Sequence, residues 1–186
     1  MKNPLSTIQT LSKIGKILSK IIFIICIVAI CFCVAGIVGV RLGGDGLIAS
    51  LGSVNIYGIT GDVSALTANV VYAAFAAAII SVIGSAYVAK CAERYFKNEL
   101  KAGTPFTFEG ADEMKRLGII AIIVPIVAAI VSAIVFAVVS HGMESDSETS
   151  ISAGASIGTG IMFLIFAVVF KYGASIAEEG RQEELQ

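Results

Sequence analysis

Four long stretches of this chain are apolar and carry almost no charge: 21–40, 66–89, 117–139 and 151–170. The first three contain no Asp, Glu, Lys, Arg or His. A helix that crosses a bilayer needs roughly 20 mostly apolar residues, and each stretch is about that long. At 56% hydrophobic residues and a mean hydropathy of +0.90, the chain is too apolar for one water-soluble core. The expected fold is all-α, an integral membrane four-helix bundle forming a single membrane domain over 1–186. The fourth run is the weakest. Its dense part starts at Ile161, and Gly154, Gly158 and Gly160 dilute what precedes it, so a short or re-entrant helix is the alternative there. The first run is longer than the roughly 7–15 residues of a signal h-region, and no A-x-A-like cleavage site follows it. It is expected to remain as a span.

Basic residues in short flanking segments set the orientation of a membrane protein. Of the 13 Lys and Arg residues, 12 fall in an N-terminal arm (Lys2, Lys13, Lys16, Lys20), a middle loop (Lys90, Arg94, Lys97, Lys101, Lys115, Arg116) and a tail (Lys171, Arg181). The other two loops hold Arg41 alone, against Asp45, Asp62, Glu144, Asp146 and Glu148. Arm, middle loop and tail (171–186) are therefore expected in the cytoplasm. The formal net charge of −1 hides this asymmetry. None of the four cysteines lies in an outer loop, so no extracellular disulfide is implied. Cys31 and Cys33 stand two residues apart, on different faces of a helix, and read with Cys26 as small apolar fillers. Cys91 is juxtamembrane and a possible acylation site.

The arm, 1–20, reads as an amphipathic helix on the inner leaflet, with Leu5, Ile8, Leu11, Ile14 and Leu18 on one stripe and lysines elsewhere. Ser6 and Gln9 have the spacing of a capping box. The loop 41–65 is Gly-rich, with a possible hairpin or cap at 54–60. The acidic segment 141–150 reads as a solvated turn. In the middle loop, helix two is expected to continue as 90–101, with Glu93 and Lys97 forming an i,i+4 pair. Gly103 is the natural stop, reinforced by Pro105. Thr107 can cap the next helix, with Glu109 in its first turn, and Phe106 and Ala111 stand at the positions of a hydrophobic staple.

Helices in lipid associate by close packing, which small residues permit. Helix two repeats small residues every four positions at Ala73, Ala77, Ser81, Ser85 and Ala89; helix three does so at Ala121, Pro125, Ala129, Ala133 and Ala137. Helix four opens with Gly154 and Gly158. These are the candidate packing residues, within one chain or between copies in a homo-oligomer. Pro125 removes a backbone donor and is expected to kink its helix.

The stretch 103–118 reads Gly-Thr-Pro-Phe-Thr-Phe-Glu-Gly-Ala-Asp-Glu-Met-Lys-Arg-Leu-Gly. It resembles the G-x-P-F-T-x-E-N-x-x-x-L-K/R-x-I/L-G segment of a bacterial family of four-span membrane proteins, domain of unknown function 2975. The segment 170–179, Phe-Lys-Tyr-Gly-Ala-Ser-Ile-Ala-Glu-Glu, is similar to that family's F-K/R-x-G-A-x-L-Q-x-E. Two departures stand out. Gly110 replaces the usual Asn, and Arg181 stands where the family tail turns acidic before a D-x-T-V-like ending absent here. The resemblance implies a bacterial cytoplasmic membrane, no assigned activity, and a partner role beside a small helix-turn-helix regulator.

The sequence thus points to a non-enzymatic membrane component that binds or regulates a partner through its cytoplasmic loop. Gly103, Pro105, Phe106, Thr107 and Glu109 are the candidate contact residues. Beyond such a protein, the partner set is membrane lipid, with no direct nucleic acid. The alternative is a small transporter or channel for a neutral or lipidic substrate, since ionisable groups that mark ion paths are missing from the spans. No zinc spacing, phosphate loop or paired intramembrane carboxylates suggest an enzyme, a metal or a cofactor, and the lone His141 reads as an interfacial polar residue.

Overall fold

The computed structural model describes residues 4–51, 68–103, 106–139 and 154–183. They form four helices in chain order: α1, Pro4–Leu51; α2, Ala68–Ala102; α3, Phe108–Val139; and α4, Gly154–Glu183. There is no strand among the described residues. All four helices are long and apolar enough to cross a membrane, the organisation of a multi-pass membrane protein. The expected hairpin or cap at 54–60, the turn at 141–150, His141 and Pro105 lie outside the described residues.

Helix α1 has 48 residues. At roughly 1.5 Å per residue it reaches about 70 Å, more than twice a hydrocarbon core of roughly 30 Å. The arm expected as a separate helix over 1–20 is continuous with the first span. Residues 41–51, expected as the start of a Gly-rich loop, are also helical. The helix-formers Leu47, Ile48, Ala49 and Leu51 carry it past the glycines, whose propensity is only a weak prior. Helix α2 likewise runs unbroken through Lys90 to Ala102. Helix α4 is one continuous helix of 30 residues, and Gly158–Gly180 within it is long and apolar enough to cross a membrane.

Helix α1 buries small or polar side chains and exposes many large apolar ones. On α1, Ser12 and Ser19 are buried at 4% and 6% exposure, while Leu11 and Phe32 stand 69% and 73% exposed. Water would punish that arrangement; lipid tails do not, because a leucine gains nothing by leaving them. The buried positions recur every seven residues: Ser12, Ser19, Cys26, half-buried Cys33 and Val40 on α1; Phe75, Val82 and Ala89 on α2; Ala111, Gly118, half-buried Pro125 and Ser132 on α3; Gly160, Ala167 and Ala174 on α4. A seven-residue repeat drifts only about 20° per step around an α-helix. A four-residue repeat drifts about 40°, so four steps carry it roughly 160° away. On α3, Ala121 is accordingly buried, Pro125 and Ala129 half-buried, and Ala133 and Ala137 exposed. On α2, Ala73 is buried, Ala77 and Ser81 half-buried and Ser85 exposed.

Two compact units divide the chain. The first holds Met1–Ile24, Ala86–Val124 and Gly154–Gln186. Its core is Tyr95, Met114, Leu117 and Ala167, with Cys91, Phe96, Phe163 and Phe170 packed around it. Close approaches here need glycine, beginning with two inside the helices. The ring of Phe96 lies over Gly15, where a Cβ would come within 2.7 Å of it. Gly118 and Gly160 face each other, and a Cβ on either would meet the other's carbonyl oxygen at about 3 Å. Gly158 faces open space and Gly154 opens α4. The close approach thus falls on Gly160, two residues beyond the Gly154–Gly158 pair and on another face of the helix.

The second unit holds Ile25–Ser85 and Pro125–Ala153. Val40, Val71 and Phe75 form its core, with Cys33, Ile37 and Tyr72 against them, and the Phe75 ring lies over Gly36. Ser132 of α3 donates to the Ala77 carbonyl at 3.0 Å and shares a 3.0 Å hydrogen bond with the Ser81 hydroxyl. Both hydroxyls are satisfied without water, as a low-dielectric surrounding requires. Cys31 is exposed while Cys33 is half-buried, so the two thiols occupy different faces.

Gly160→Leu is expected to destabilise the first unit by about 1–3 kcal/mol through overpacking, while Gly158→Ala leaves stability nearly unchanged. Thermal unfolding of the two purified variants in matched detergent checks this.

Candidate functional site

Chemistry-bearing side chains gather where α2 ends and α3 begins, within the first unit. The apolar run of α2 ends at Ala89, and a charged stretch follows from Lys90 to Lys101. Gly103 then takes a left-handed backbone, φ 79°, which costs glycine nothing and ends the helix. Its N–H donates to the Glu99 carbonyl at 3.0 Å. Thr107 starts α3: its hydroxyl accepts from the Gly110 N–H at 3.0 Å, an N-cap bond. Phe106, between them, packs on α4. Its ring lies over Gly173, where a Cβ would come within 2.5 Å, and meets Phe170 edge-on at 5.7 Å.

This junction leaves a cleft of about 310 Å³, lined by Asn98, Glu99, Lys101, Ala102, Thr107, Glu109, Gly110 and Glu113. Three carboxylates face one lysine. Ser12 of α1 donates to Glu99 at 2.9 Å, and Asn98 of α2 donates to Glu113 of α3 at 2.8 Å. Burial raises the Glu99 carboxyl above the ordinary glutamate value, against the lowering effect of Ser12 and Tyr95. Tyr95, one turn before Glu99, is 3% exposed. Burial first, then the charges of Glu99 and Glu113, push its phenol well above the ordinary tyrosine value. Its hydroxyl lies close enough to Glu99 to lower that carboxyl, and forms no hydrogen bond of standard geometry among the described residues.

The expected contact residues therefore divide. Thr107 and Glu109 line the cleft, Gly103 shapes the turn beside it, and Phe106 is committed to α4. Residues missed in the sequence are Ser12, Tyr95, Asn98, Glu99 and Glu113. Their common signal is position: Tyr95, Glu99 and Asn98 fall within about one turn of α2, and Glu113 follows Glu109 by one turn of α3. Ser12 carries no signal without knowing that α1 docks here.

A second charged group lies farther along α2. The expected Glu93–Lys97 pair is replaced by Glu93–Lys90, 2.8 Å apart. Lys90 is anchored over the Phe23 ring, 5.1 Å from its centroid, which draws Glu93 backward along the helix. Lys90 holds the Glu93 carboxyl below its usual range, with Lys20 and Lys16 of α1 adding to the effect. Cys91 is half-buried against the Tyr95–Leu117 core. Among the described residues, no three His, Cys, Asp or Glu side chains are placed to hold one metal ion. No family model, curated protein or solved structure matches the chain.

Because the Glu99 carboxyl sits above its unfolded value, the folded state binds the proton more tightly. That contribution is complete below the unfolded value, roughly 4.3, and is lost as pH rises through the folded one. Glu99→Gln is expected to flatten this part of the pH–stability profile and to melt higher than the parent at neutral pH. Thermal melts across acidic and neutral buffers check both.

Proposed function

We propose that this chain is a non-enzymatic, multi-pass membrane protein that binds a protein partner through the α2–α3 corner. The observation that carries the reading is the open cleft at that corner, lined by Glu99, Glu109, Glu113 and Lys101. A glycine stop and a capped helix start define the two helix ends that line this charged cleft, and helix walls fixed before binding lower its ordering cost. Two polar side chains of the second unit, Ser81 and Ser132, fit this reading better than a transporter. Ser81 and Ser132 spend their hydroxyls on each other and on Ala77, not on a path.

The corner carries six of the basic residues, from Lys90 to Arg116. By the distribution of Lys and Arg it faces the cytoplasm, with both chain ends on the same side. The resemblance of 103–118 and 170–179 to domain of unknown function 2975 points to a bacterial cytoplasmic membrane and to a small helix-turn-helix regulator as a partner. A second copy of the chain is the other protein partner that fits.

Lys101→Glu and Glu109→Lys reverse exposed charges without touching the core. Each is expected to cut crosslinking of the partner in intact membranes by about tenfold, because like charges then meet across the interface. Unchanged crosslinking, at unchanged membrane levels of the variant, would reject this surface.

A further inference from the structure

We propose that the face of the first unit where α1 meets α2 binds the phosphate of an anionic phospholipid between Lys16, Lys20 and Lys90. This surface is separate from the α2–α3 cleft. It shares with the partner-binding reading only the placement in a membrane.

Helix pairing brings the three lysines together. Ser12 reaches Glu99 and Gly15 underlies Phe96, so α1 and α2 run antiparallel here, and later residues of α1 meet earlier residues of α2. Phe23 accordingly lies under Lys90, whose Nζ is 5.1 Å from the ring centroid. Between these contacts Lys16 and Lys20 are close enough to Glu93 to act on its charge, and Lys90 pairs with it at 2.8 Å. All of these residues belong to the first unit. Three ammonium groups thus stand against one carboxylate, and the carboxylate is the covered member. The Glu93 side chain is 18% exposed and that of Lys90 is 61% exposed. Lys20 is exposed and Lys16 half-buried, and neither makes an ion pair among the described residues. The start of α1 adds no acid, since the first Asp or Glu of the chain is Asp45. The face is cationic and short of counter-charge.

Its position says which anion fits. Lys20 directly precedes the apolar run 21–40, and Lys90 directly follows the run 66–89. Both helices therefore leave the apolar zone at one level, where headgroups border a hydrocarbon core of roughly 30 Å. Ile17 and Ile24 stand three residues before and four after Lys20, on its side of α1, and Tyr87 stands three residues before Lys90 on α2. These three are 51–59% exposed. Apolar surface beside a cationic group fits an amphiphile, with an acyl chain along the isoleucines and its phosphate at the lysines. A free anion would use the lysines alone. An ammonium is a compact charge with three N–H donors, and several of them can share the oxygens of one phosphate. A zwitterionic headgroup brings a cation of its own, which the lysines repel, so the face selects a headgroup of net negative charge. Phe23 is a positioning residue, because its ring holds Lys90 on the α1 side.

The test uses the full chain in phosphatidylcholine vesicles that carry trace spin-labelled lipid. Electron spin resonance reads the label immobilised against the protein, for labelled phosphatidylglycerol and for labelled phosphatidylcholine. Phosphatidylglycerol is expected to be preferred by at least about threefold. Lys16→Gln with Lys20→Gln is expected to abolish the preference, Lys16→Arg with Lys20→Arg to keep it, and Phe23→Leu to lower it part-way. Lys115→Gln with Arg116→Gln removes the same charge from α3 and is expected to leave the preference in place. Equal losses in the two glutamine pairs would mean diffuse attraction to the chain's basic residues and would overturn the site. Equal immobilisation of the two lipids by the unaltered chain also overturns it, whether or not the variants fold. So does inorganic phosphate that displaces labelled phosphatidylglycerol better than sodium chloride of equal ionic strength, which would assign the lysines to a free anion. Immobilised lipid without preference removes this site alone and leaves the partner reading to the Lys101→Glu crosslinking. Absence of any immobilised lipid removes the membrane placement together with the site.

Discussion

Close approach of helix backbones along small-residue seams is the interaction on which this structure depends. In a lipid surrounding there is no hydrophobic drive between helices, and contact there comes from packing and from hydrogen bonds made without water. Gly118 and Gly160 bring α3 and α4 together in the first unit, and Gly15 admits the Phe96 ring. In the second unit Gly36 admits Phe75, and Ser132 ties α3 to the Ala77 carbonyl. Phe32, Ile130 and Val168 are exposed, away from these contacts. The seven-residue spacing of the seams follows from helix geometry, because a slower drift keeps one face on its neighbour over several turns.

The same packing positions the charged corner. Ser12 reaches Glu99 because Gly15 lets α1 lie against Phe96, one turn farther along. Phe106, just before α3, packs over Gly173 of α4. The corner is thus braced from α1 and α4, and the cleft carboxylates are held by neutral donors at fixed distances. Preorganised acceptors of this kind cost little further ordering when a ligand arrives.

Much of this was legible in the sequence where a residue acts through its own backbone. Gly103 and Thr107 announce a helix stop and a helix start, because left-handed φ and N-capping are local properties. The four apolar runs are legible for the same reason: length and composition decide whether a helix can cross. Contacts between helices were less legible. Alanine and glycine are frequent, so four-residue stripes appear by abundance, and their drift takes Ala133 and Ala137 off the contact face. The seven-residue seam of α1 escapes notice because its members, Ser, Cys and Val, share size and not chemistry. Lys90 was not expected to hold Glu93, since the Phe23 ring that anchors it lies far away in sequence.

The central claim is that the outward apolar faces meet lipid while the seams meet protein. Nitroxide labels at positions 32, 130 and 168, introduced one at a time through cysteine in an otherwise cysteine-free chain in liposomes, test it most directly. Relaxation by oxygen, which concentrates in the bilayer, is expected to exceed relaxation by a water-soluble nickel chelate at all three, and to fall below it for a label at 109. Stronger relaxation by the nickel chelate at 32, 130 and 168 would contradict the account.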